Sequence, residues 1–287
     1  SVETDFGFQG DGRYDRKHFM GLGSVLYDIS QDYVVDATLE YVHSSERDLA
    51  RKHISKLESL DLIENSLIIF DRGYFSTDMF NFLVDAGCSC LMRIKKSTTS
   101  LTGSEEDDIV LDSAKYHANI RVVQVELSTG EIEYLVTNIL DPNITPEMLK
   151  KLYHKRWKIE SKYYELKEHW ELEQFNGATS RSIEQEFFIT LTKSNFCSII
   201  KNEADRRIDL QSTGKETKKY QSTRSHLIGR LAVLFPMYLT GQAVNTTLED
   251  LVMEGVQNKS LIQPGRHKKR KMPKEHKTHS KNRKTTT

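Results

Sequence analysis

The chain has 287 residues, of which 37% are hydrophobic and 29% charged, and its formal net charge is zero. This composition excludes an intrinsically disordered chain, and the length is enough for one domain with an insertion or a tail. No apolar run approaches the roughly 18 residues of a membrane-spanning helix, and the best candidate, residues 227–239, contains Arg230 and Pro236. Three cysteines are too few for a disulfide framework, so we expect a cytoplasmic protein with no membrane partner.

The first 94 residues have the pattern of an α/β unit. Two strands, a helix, a strand, a helix and a further strand are predicted over residues 18–27, 33–41, 44–59, 66–70, 76–86 and 88–94. The fourth segment, SLIIF, is continuously apolar, as is typical of a strand buried on both faces, and it ends at Asp71. This carboxylate is therefore predicted at the C-terminal edge of a sheet, where active sites of open α/β folds tend to lie.

The character of the chain changes twice after Ile94. Alternating apolar and polar residues predict a small β-rich insertion, with strands over 109–111, 120–127 and 132–140. After Pro142 the pattern is helical, with helices predicted over 145–167, 181–208, 222–239 and 246–257.

The charges are unevenly distributed along the chain. Between Pro264 and Thr287 there are ten Lys or Arg residues and one acid, so the rest of the chain carries a matching acidic excess. A basic segment without apolar periodicity predicts a disordered tail that is attracted to polyanions, although solubility tails share this composition. The acidic excess is compatible with a site of metal-binding carboxylates, and acidic surfaces are also common without one.

The helix predicted over 145–167 carries an unusual combination of side chains. Tyr153, Arg156, Glu160 and Lys167 follow one another at spacings of three, four and seven, which share one face of an α-helix. This face fits contact with phosphates and a hard cation together, because Arg and Lys hold phosphate oxygens and Glu ligates metal. The alternative is a solvated helix face with an Arg156–Glu160 ion pair. The second carboxylate, Asp71, favours the first interpretation.

These four residues match the Tyr-x2-Arg-x3-Glu-x6-Lys signature in full, so the sequence resembles the bacterial DDE transposases of the insertion-sequence-four class, the YREK group. Upstream, IIFDRGYFS resembles the family segment that bears the second catalytic Asp, and SVLYDISQDYVVDATLEYVHSSERDLA resembles its hairpin and following helix. The resemblance covers about His18 to Phe175. It implies an α/β fold with a ribonuclease-H-like mixed sheet, a β-rich insertion and a helical C-terminal region.

The resemblance also implies a function. The chain would be a DNA transposase of an insertion sequence that cleaves transposon ends and transfers strands to target DNA by metal-dependent phosphoryl transfer. Asp71 and Glu160 would be the catalytic metal ligands for Mg²⁺, with Mn²⁺ as a substitute, and Tyr153, Arg156 and Lys167 would contact the DNA. The partners would be double-stranded DNA and a second copy of the chain in a homodimer.

The elements and the resemblance together suggest five regions. These are the N-terminal part of the catalytic core, the β-rich insertion, the core helix with the Tyr-Arg-Glu-Lys motif, a helical region that is a candidate for dimerisation, and the basic tail, over residues 1–94, 95–142, 143–176, 177–262 and 263–287.

The sequence departs from the family pattern at the first catalytic Asp. That residue usually lies on the first strand, ahead of the segment with which this chain begins, and the chain starts at Ser1 rather than Met. We therefore expect the first strand and its Asp to be missing. Asp11 lies in a loop-like stretch and is a weak substitute, and Asp36 lies within a predicted strand and is interpreted as structural.

Two other functions remain as alternatives. An inactive transposase fragment could bind DNA or inhibit transposition without cutting. A metal-dependent nuclease of the same fold is disfavoured because the Tyr-Arg-Glu-Lys pattern is transposase-like. Cys88 and Cys90 lie in a predicted strand without a nearby Cys or His pair, so we expect no zinc site there.

Overall fold

The computed structural model describes residues 5–6, 8–10, 17–104, 106–127, 129–212, 218–242 and 245–263. These residues form two compact units. The sheet unit consists of Asp5–Ile29 and Val35–Ser161, and the helical unit consists of Ser30–Val34 and the described residues from Lys162 onward. Among the described residues, no helix combines the length and the apolar character that crossing a membrane requires.

The sheet unit alternates strands and helices. In chain order its elements are β1 (Phe8–Gly10), β2 (Lys17–Phe19), β3 (Gly21–Asp28), β4 (Tyr33–Tyr41), α1 (Glu46–Ser59), β5 (Leu67–Phe70), α2 (Thr77–Asp85), β6 (Ser89–Ile94), α3 (Thr99–Thr102), β7 (Asp108–Leu111), β8 (Ile120–Glu126), β9 (Ile132–Thr137), α4 (Pro146–His154) and the first turns of α5 (Trp157–Glu168). Ser45 and Ser76 cap α1 and α2, since each side chain accepts a hydrogen bond from a backbone amide of the first turn.

A mixed five-stranded sheet is the centre of this unit. Its strand order is β5-β6-β9-β8-β7, in which β5 and β6 are parallel and the other neighbours are antiparallel. Strands β1 and β2 pair with each other, as do β3 and β4. The predicted fold class is confirmed: the chain is a mixed α/β protein with a mixed sheet, β-strands after Ile94 and a helical C-terminal region. Within the described chain, β5 is an edge strand.

Two apolar clusters cover the two faces of this sheet. Because successive strand residues point to opposite faces, Cys90 and Met92 of β6 pack in one cluster with α1 and α2, and Leu91 packs in the other. The second cluster includes Leu149 and Tyr153 of α4. The packing of α4 therefore brings Tyr153 onto the sheet on the face opposite α1 and α2.

The single helix predicted over 145–167 is wrong, because the structure has two helices there. The amides of Lys155 and Arg156 donate to carbonyl oxygens three residues earlier, those of Leu152 and Tyr153, at 3.1 and 2.9 Å. Such bonds tighten the chain into a turn of 3₁₀ type between α4 and α5. Positions on either side of this turn do not share one continuous helix face, so side chains at 153 and 160 extend from different helices.

The helical unit is built around one long helix. Its elements after α5 are α6 (Ser180–Gln211), β10 (Tyr220–Ser222), α7 (Arg224–Leu239), α8 (Leu248–Gln257) and β11 (Lys259–Leu261), and β10 pairs antiparallel with β11. Thr179 begins α6 with a capping box that includes Ser182. A Cβ at Gly255 would lie 2.9 Å from the Cβ of Ala204, so the close approach of α8 to α6 requires a glycine there.

Candidate active site

Asp71 directly follows edge strand β5, as the sequence predicts. Its Oδ1 accepts a hydrogen bond from the backbone amide of Arg72 at 2.7 Å. Arg47 of α1 donates from Nε and Nη2 to the carbonyl oxygen of Gly73, at 3.1 and 2.9 Å. These bonds fix the loop after the strand, while the Asp71 side chain remains 49% exposed.

Tyr153, at the C-terminal end of α4, supplies a hydrogen-bond donor to Asp71. Its hydroxyl donates to Asp71 Oδ1 at 3.2 Å, and the residue is only 4% exposed. Burial raises the pKa of the Tyr153 phenol, and the negative charge of Asp71 raises it further. The phenol therefore stays protonated at neutral pH and acts as a donor to the carboxylate.

Arg156 connects the two predicted metal ligands. Its Nη1 lies 3.7 Å from Asp71 Oδ2, and its Nη2 donates to Glu160 Oε1 at 3.3 Å. The guanidinium lies 5.2 Å from the centre of the Trp157 ring and 5.8 Å from that of Tyr153, within cation–π range. One largely buried cation thus contacts two carboxylates, of which Asp71 is 49% and Glu160 42% exposed.

The surroundings of Asp71 favour its ionised form. Burial opposes ionisation, but the Arg72 amide, the Arg156 guanidinium and the Tyr153 hydroxyl outweigh it and lower the pKa below its usual value of 3.8. The positive charge of Arg93 acts in the same direction. Asp71 is therefore an anionic oxygen donor at neutral pH, which is the protonation state that a metal ligand needs.

Arg93 and Arg47 are neighbours of the site that the sequence analysis missed. Arg93 lies in β6, and its Nε is 3.1 Å from Oε1 of Glu133, a buried residue of β9. The signal was present in the sequence, because Arg93 is the one charged residue of the strand segment SCLMRI. Arg47 carried no comparable signal, since it is one of several charged residues on an amphipathic helix.

Lys167 lies seven residues after Glu160 on the same helix, α5. It belongs to the helical unit, where its Nζ lies 2.6 Å from Oε1 of Glu173, and both side chains are about half exposed. The four-residue face predicted from the spacing is interrupted by the turn between α4 and α5, which lies between Tyr153 and Glu160. Tyr153, Arg156 and Glu160 gather with Asp71, whereas Lys167 pairs with Glu173.

The candidates for a third carboxylate have different positions. Asp11 lies outside the described residues. Asp36 Oδ2 is 2.7 Å from Nδ1 of the buried His53, whose Nε2 is 3.0 Å from Ser24 Oγ. Asp36 is therefore engaged in linking β4 to α1. The described part of the chain contains no group of three or more His, Cys, Asp or Glu side chains arranged to hold a metal ion.

The cysteines are buried in the two units. Burial raises the pKa of the Cys88 thiol to about 11 and that of Cys90 to about 12. Burial likewise raises the pKa of Cys197 to about 11. All three thiols are protonated at neutral pH and are therefore poor nucleophiles.

The donor chemistry of Asp71 and Glu160 fits a hard divalent cation. Both side chains offer carboxylate oxygens, both are partly exposed, and both contact the same guanidinium. Mg²⁺ is commonly bound by one or two carboxylates, with water and phosphate oxygens completing its octahedron. Two carboxylates are therefore sufficient to begin such a site.

Comparison with known proteins bears on the family of this chain. No curated protein matches the sequence. The chain is similar to a solved structure described as the cryo-EM structure of the piggyBac transposase synaptic complex with hairpin DNA, with 10% identity and a TM-score of 0.48. The match covers 88% of this chain and 53% of that one, so the chain spans about half the length of that relative. The family model of the transposase DDE domain matches residues 3–196, which is more than half of the chain. The chain therefore belongs to the transposase DDE domain family.

Proposed function

We propose that this chain is the catalytic region of a DNA transposase of the insertion-sequence-four class. In this proposal it cleaves the ends of an insertion sequence and transfers them to target DNA by divalent-metal-dependent phosphoryl transfer, in the cytoplasm. The observation that carries the proposal is the convergence of Asp71 and Glu160 on one guanidinium in a chain of the DDE family.

Asp71 and Glu160 would hold Mg²⁺, or Mn²⁺ in its place. A divalent cation bound there supplies the charge that activates an attacking oxygen and stabilises the leaving oxygen of a phosphoryl transfer. The role of Tyr153 is to orient the Asp71 carboxylate by donating to Oδ1. The other oxygen, Oδ2, does not take part in that bond. The surrounding positive charges keep Asp71 ionised, so it is ready to ligate at neutral pH.

The cationic motif residues would contact the DNA backbone. Arg156 has a planar guanidinium that suits phosphate oxygens. On contact with DNA, a phosphate would replace a carboxylate as the anionic partner of this guanidinium. Lys167 is about half exposed, and its surface ion pair with Glu173 is of the kind that contributes little stability, so release to a phosphate is inexpensive. In this proposal the partners are double-stranded transposon-end and target DNA, and a homodimer holds both ends.

An inactive transposase fragment that binds DNA or inhibits transposition is the second candidate. It is favoured by one observation: within the described residues, no three His, Cys, Asp or Glu side chains are placed to hold a metal ion together. The same surface of Arg156 and Lys167 would then occupy a transposon end without cutting it.

The test is nicking of a duplex that reproduces the DNA flanking this gene, with Mg²⁺ or Mn²⁺. The chain is assayed beside a version extended upstream in the gene, and Glu160→Ala is assayed in both backgrounds. Glu168→Ala is the matched control, because Glu168 is an exposed carboxylate of the same helix α5.

Cutting that is lost in Glu160→Ala and retained in Glu168→Ala supports the transposase. If only the extended version cuts, the chain by itself lacks a catalytic group. If neither version cuts but both shift the duplex in a gel, the inactive DNA-binding candidate replaces the enzyme.

A further inference from the structure

The helical unit contains a second group of charged side chains, two of which lie on α5 between Glu160 and Lys167 of the Tyr-Arg-Glu-Lys motif. It consists of Asp32, Lys162, Glu165 and Arg224, and we call it the buried charge cluster. Lys162 is only 2% exposed, and Glu165 has 12% of its side chain exposed. Charged residues are almost never this buried unless they are paired, so the cluster needs an explanation.

Lys162 is held by three different elements. Its Nζ donates to the carbonyl oxygen of Asp32 and to Ser198 Oγ, both at 3.2 Å. Nζ also lies 3.8 Å from Asp32 Oδ1 and 3.6 Å from Glu165 Oε1. The three partners belong to the turn before β4, to α6 and to α5 itself, so one ammonium group ties these elements together.

Arg224 completes the cluster from the first position of α7. It pairs with the carboxylate of Asp32, and its Nη2 donates to Glu165 Oε1 at 2.9 Å and to Ser198 Oγ at 2.8 Å. Glu165 Oε1 also accepts from Ser194 Oγ and from Trp170 Nε1, each at 3.1 Å. Two cations and two anions are therefore matched, and the hydroxyl and the indole N–H add two further hydrogen bonds to the same oxygen of Glu165.

The turn that carries Asp32 is itself fixed to α6. Asn195 accepts from the amide of Val34 and donates to its carbonyl oxygen, both at 2.8 Å, and Asn202 donates to the carbonyl oxygen of Gln31 at 2.6 Å. Asp32 is therefore a rigid acceptor. The side chains of Lys162 and Arg224, which bind Asp32, are therefore fixed in direction as well as in distance.

Such a cluster is poorly explained by stability alone. The cost of desolvating buried ions often exceeds the gain from their attraction, and well-packed apolar residues of similar volume can stabilise a fold equally well or better. Buried ion pairs do, however, impose direction, because each bond requires a particular geometry. The better explanation is that the cluster fixes the orientation of the element that it holds most tightly, which is α5.

Helix α5 runs unbroken from Trp157 to Glu168, and Glu160 lies two residues before Lys162 on it. With a radius of about 5–6 Å to the side-chain ends, a rotation of about 20° moves a carboxylate by about 2 Å. Metal ligation tolerates far less than this. We propose that the buried charge cluster sets the rotation of α5 about its own axis and thereby the direction in which Glu160 points, so that Lys162 and Glu165 are positioning residues. The inference rests on the proposed function for the role of Glu160.

The test compares neutral replacements in two places. The Lys162→Met, Glu165→Gln double variant removes one charge of each sign and leaves the Asp32–Arg224 pair. The matched control is Arg230→Met, Glu254→Gln, which removes a pair between α7 and α8 whose Nε–Oε2 distance is 2.8 Å. Ser198→Ala is a milder second variant, which removes only a hydroxyl that contacts Lys162 and Arg224.

Two readouts are taken on each folded variant: steady-state cleavage of the transposon-end duplex, and hydrogen exchange of residues 157–161 without DNA or metal. In the double variant we expect kcat to fall about 100-fold while KM for DNA changes less than about twofold, since a misplacement of 1–2 Å has this cost. The amides of 157–161 should exchange about tenfold faster. Ser198→Ala should change both readouts in the same direction by about threefold, and the control variant should change neither.

Unchanged kcat and unchanged exchange in the folded double variant would overturn the inference. So would a loss of kcat that disappears when the variant is assayed at a temperature where it is fully folded, because the cluster would then serve stability only. If the wild-type protein cuts no duplex, the proposed function fails separately, and the exchange measurement alone decides whether the cluster fixes the start of α5.

Discussion

The candidate active site and the buried charge cluster contain the same kinds of charged side chain but differ in exposure and in the role that we assign to them. At the candidate active site, Asp71 and Glu160 are about half exposed and share the single guanidinium of Arg156. In the buried charge cluster, two carboxylates meet two cations, and Lys162 is almost completely inaccessible to solvent. A carboxylate that keeps exposed oxygens can accept a ligand, whereas one whose acceptors are satisfied inside the protein can only hold structure. Exposure and saturation, rather than residue type, distinguish the two roles.

The largest expected effect comes from removing a carboxylate at the exposed site. We expect Asp71→Asn to reduce cleavage of a transposon-end duplex by about 10³-fold, because loss of metal-based charge stabilisation is worth about 4 kcal/mol in the transition state. The fold should be retained, since the side chain is half exposed. The assay is Mg²⁺-dependent nicking, with circular dichroism as the check on folding. Retention of more than about a tenth of the activity would remove Asp71 from the catalytic set.

In the buried charge cluster, removing a single charge should lower the stability of the fold. We expect Lys162→Met to lower the free energy of unfolding by about 3–5 kcal/mol, because it leaves buried negative charge without its partner. Urea denaturation measures this, and Lys158→Met, at an exposed position of the same helix, should cost less than about 1 kcal/mol. Adding Glu165→Gln to Lys162→Met should recover most of the loss. A single variant as stable as the wild type would mean that the cluster is not tightly coupled.

The hydrogen bond from Tyr153 to Asp71 should have a smaller effect on the exposed site. We expect Tyr153→Phe to weaken Mn²⁺ binding or cleavage by about tenfold, because the bond orients a proposed metal ligand. Its cost in stability should be no more than about 1.5 kcal/mol, since the ring stays in place. Isothermal titration with Mn²⁺ measures the affinity. Tyr164→Phe is the control, because Tyr164 is 63% exposed, and an equal effect there would argue against an orienting role.

The smallest effect concerns the titration of Asp71. Arg156→Met removes a positive charge that lowers the pKa of Asp71, so this pKa should rise towards its usual value of 3.8. In the wild type the pKa is lower in the folded than in the unfolded chain. Ionised Asp71 therefore stabilises the fold above pH 3.8, and this contribution is lost as the pH falls through the folded-state pKa. Carbon-13 NMR titration without divalent metal measures the shift. Arg206→Met is the control and should leave the pKa unchanged, because Arg206 lies in α6 and pairs with Glu203.

Much of the local structure was predictable because local rules determine it. The apolar run before Asp71 and the apolar periodicity of the two helices beside it predicted β5, α1 and α2 to within about two residues. The break between α4 and α5 was not predictable, because residues 153–160 contain no proline or glycine to end a helix. The turn there is stabilised by tertiary contacts: Tyr153 packs on the sheet, and Arg156 reaches Asp71.

The sequence by itself determined which chemical groups this protein has and in what order, and the match of residues 3–196 to the transposase DDE domain rests on that order. It also indicated that Asp71 lies at a strand end and that Glu160 follows on a helix, because hydrophobic periodicity is a local property. The tertiary structure alone decided that Arg156 joins these two carboxylates, that Lys167 pairs with Glu173, and that Lys162 is buried. Those outcomes depend on the packing of segments far apart in the chain, and spacing along one helix contains no information about such packing.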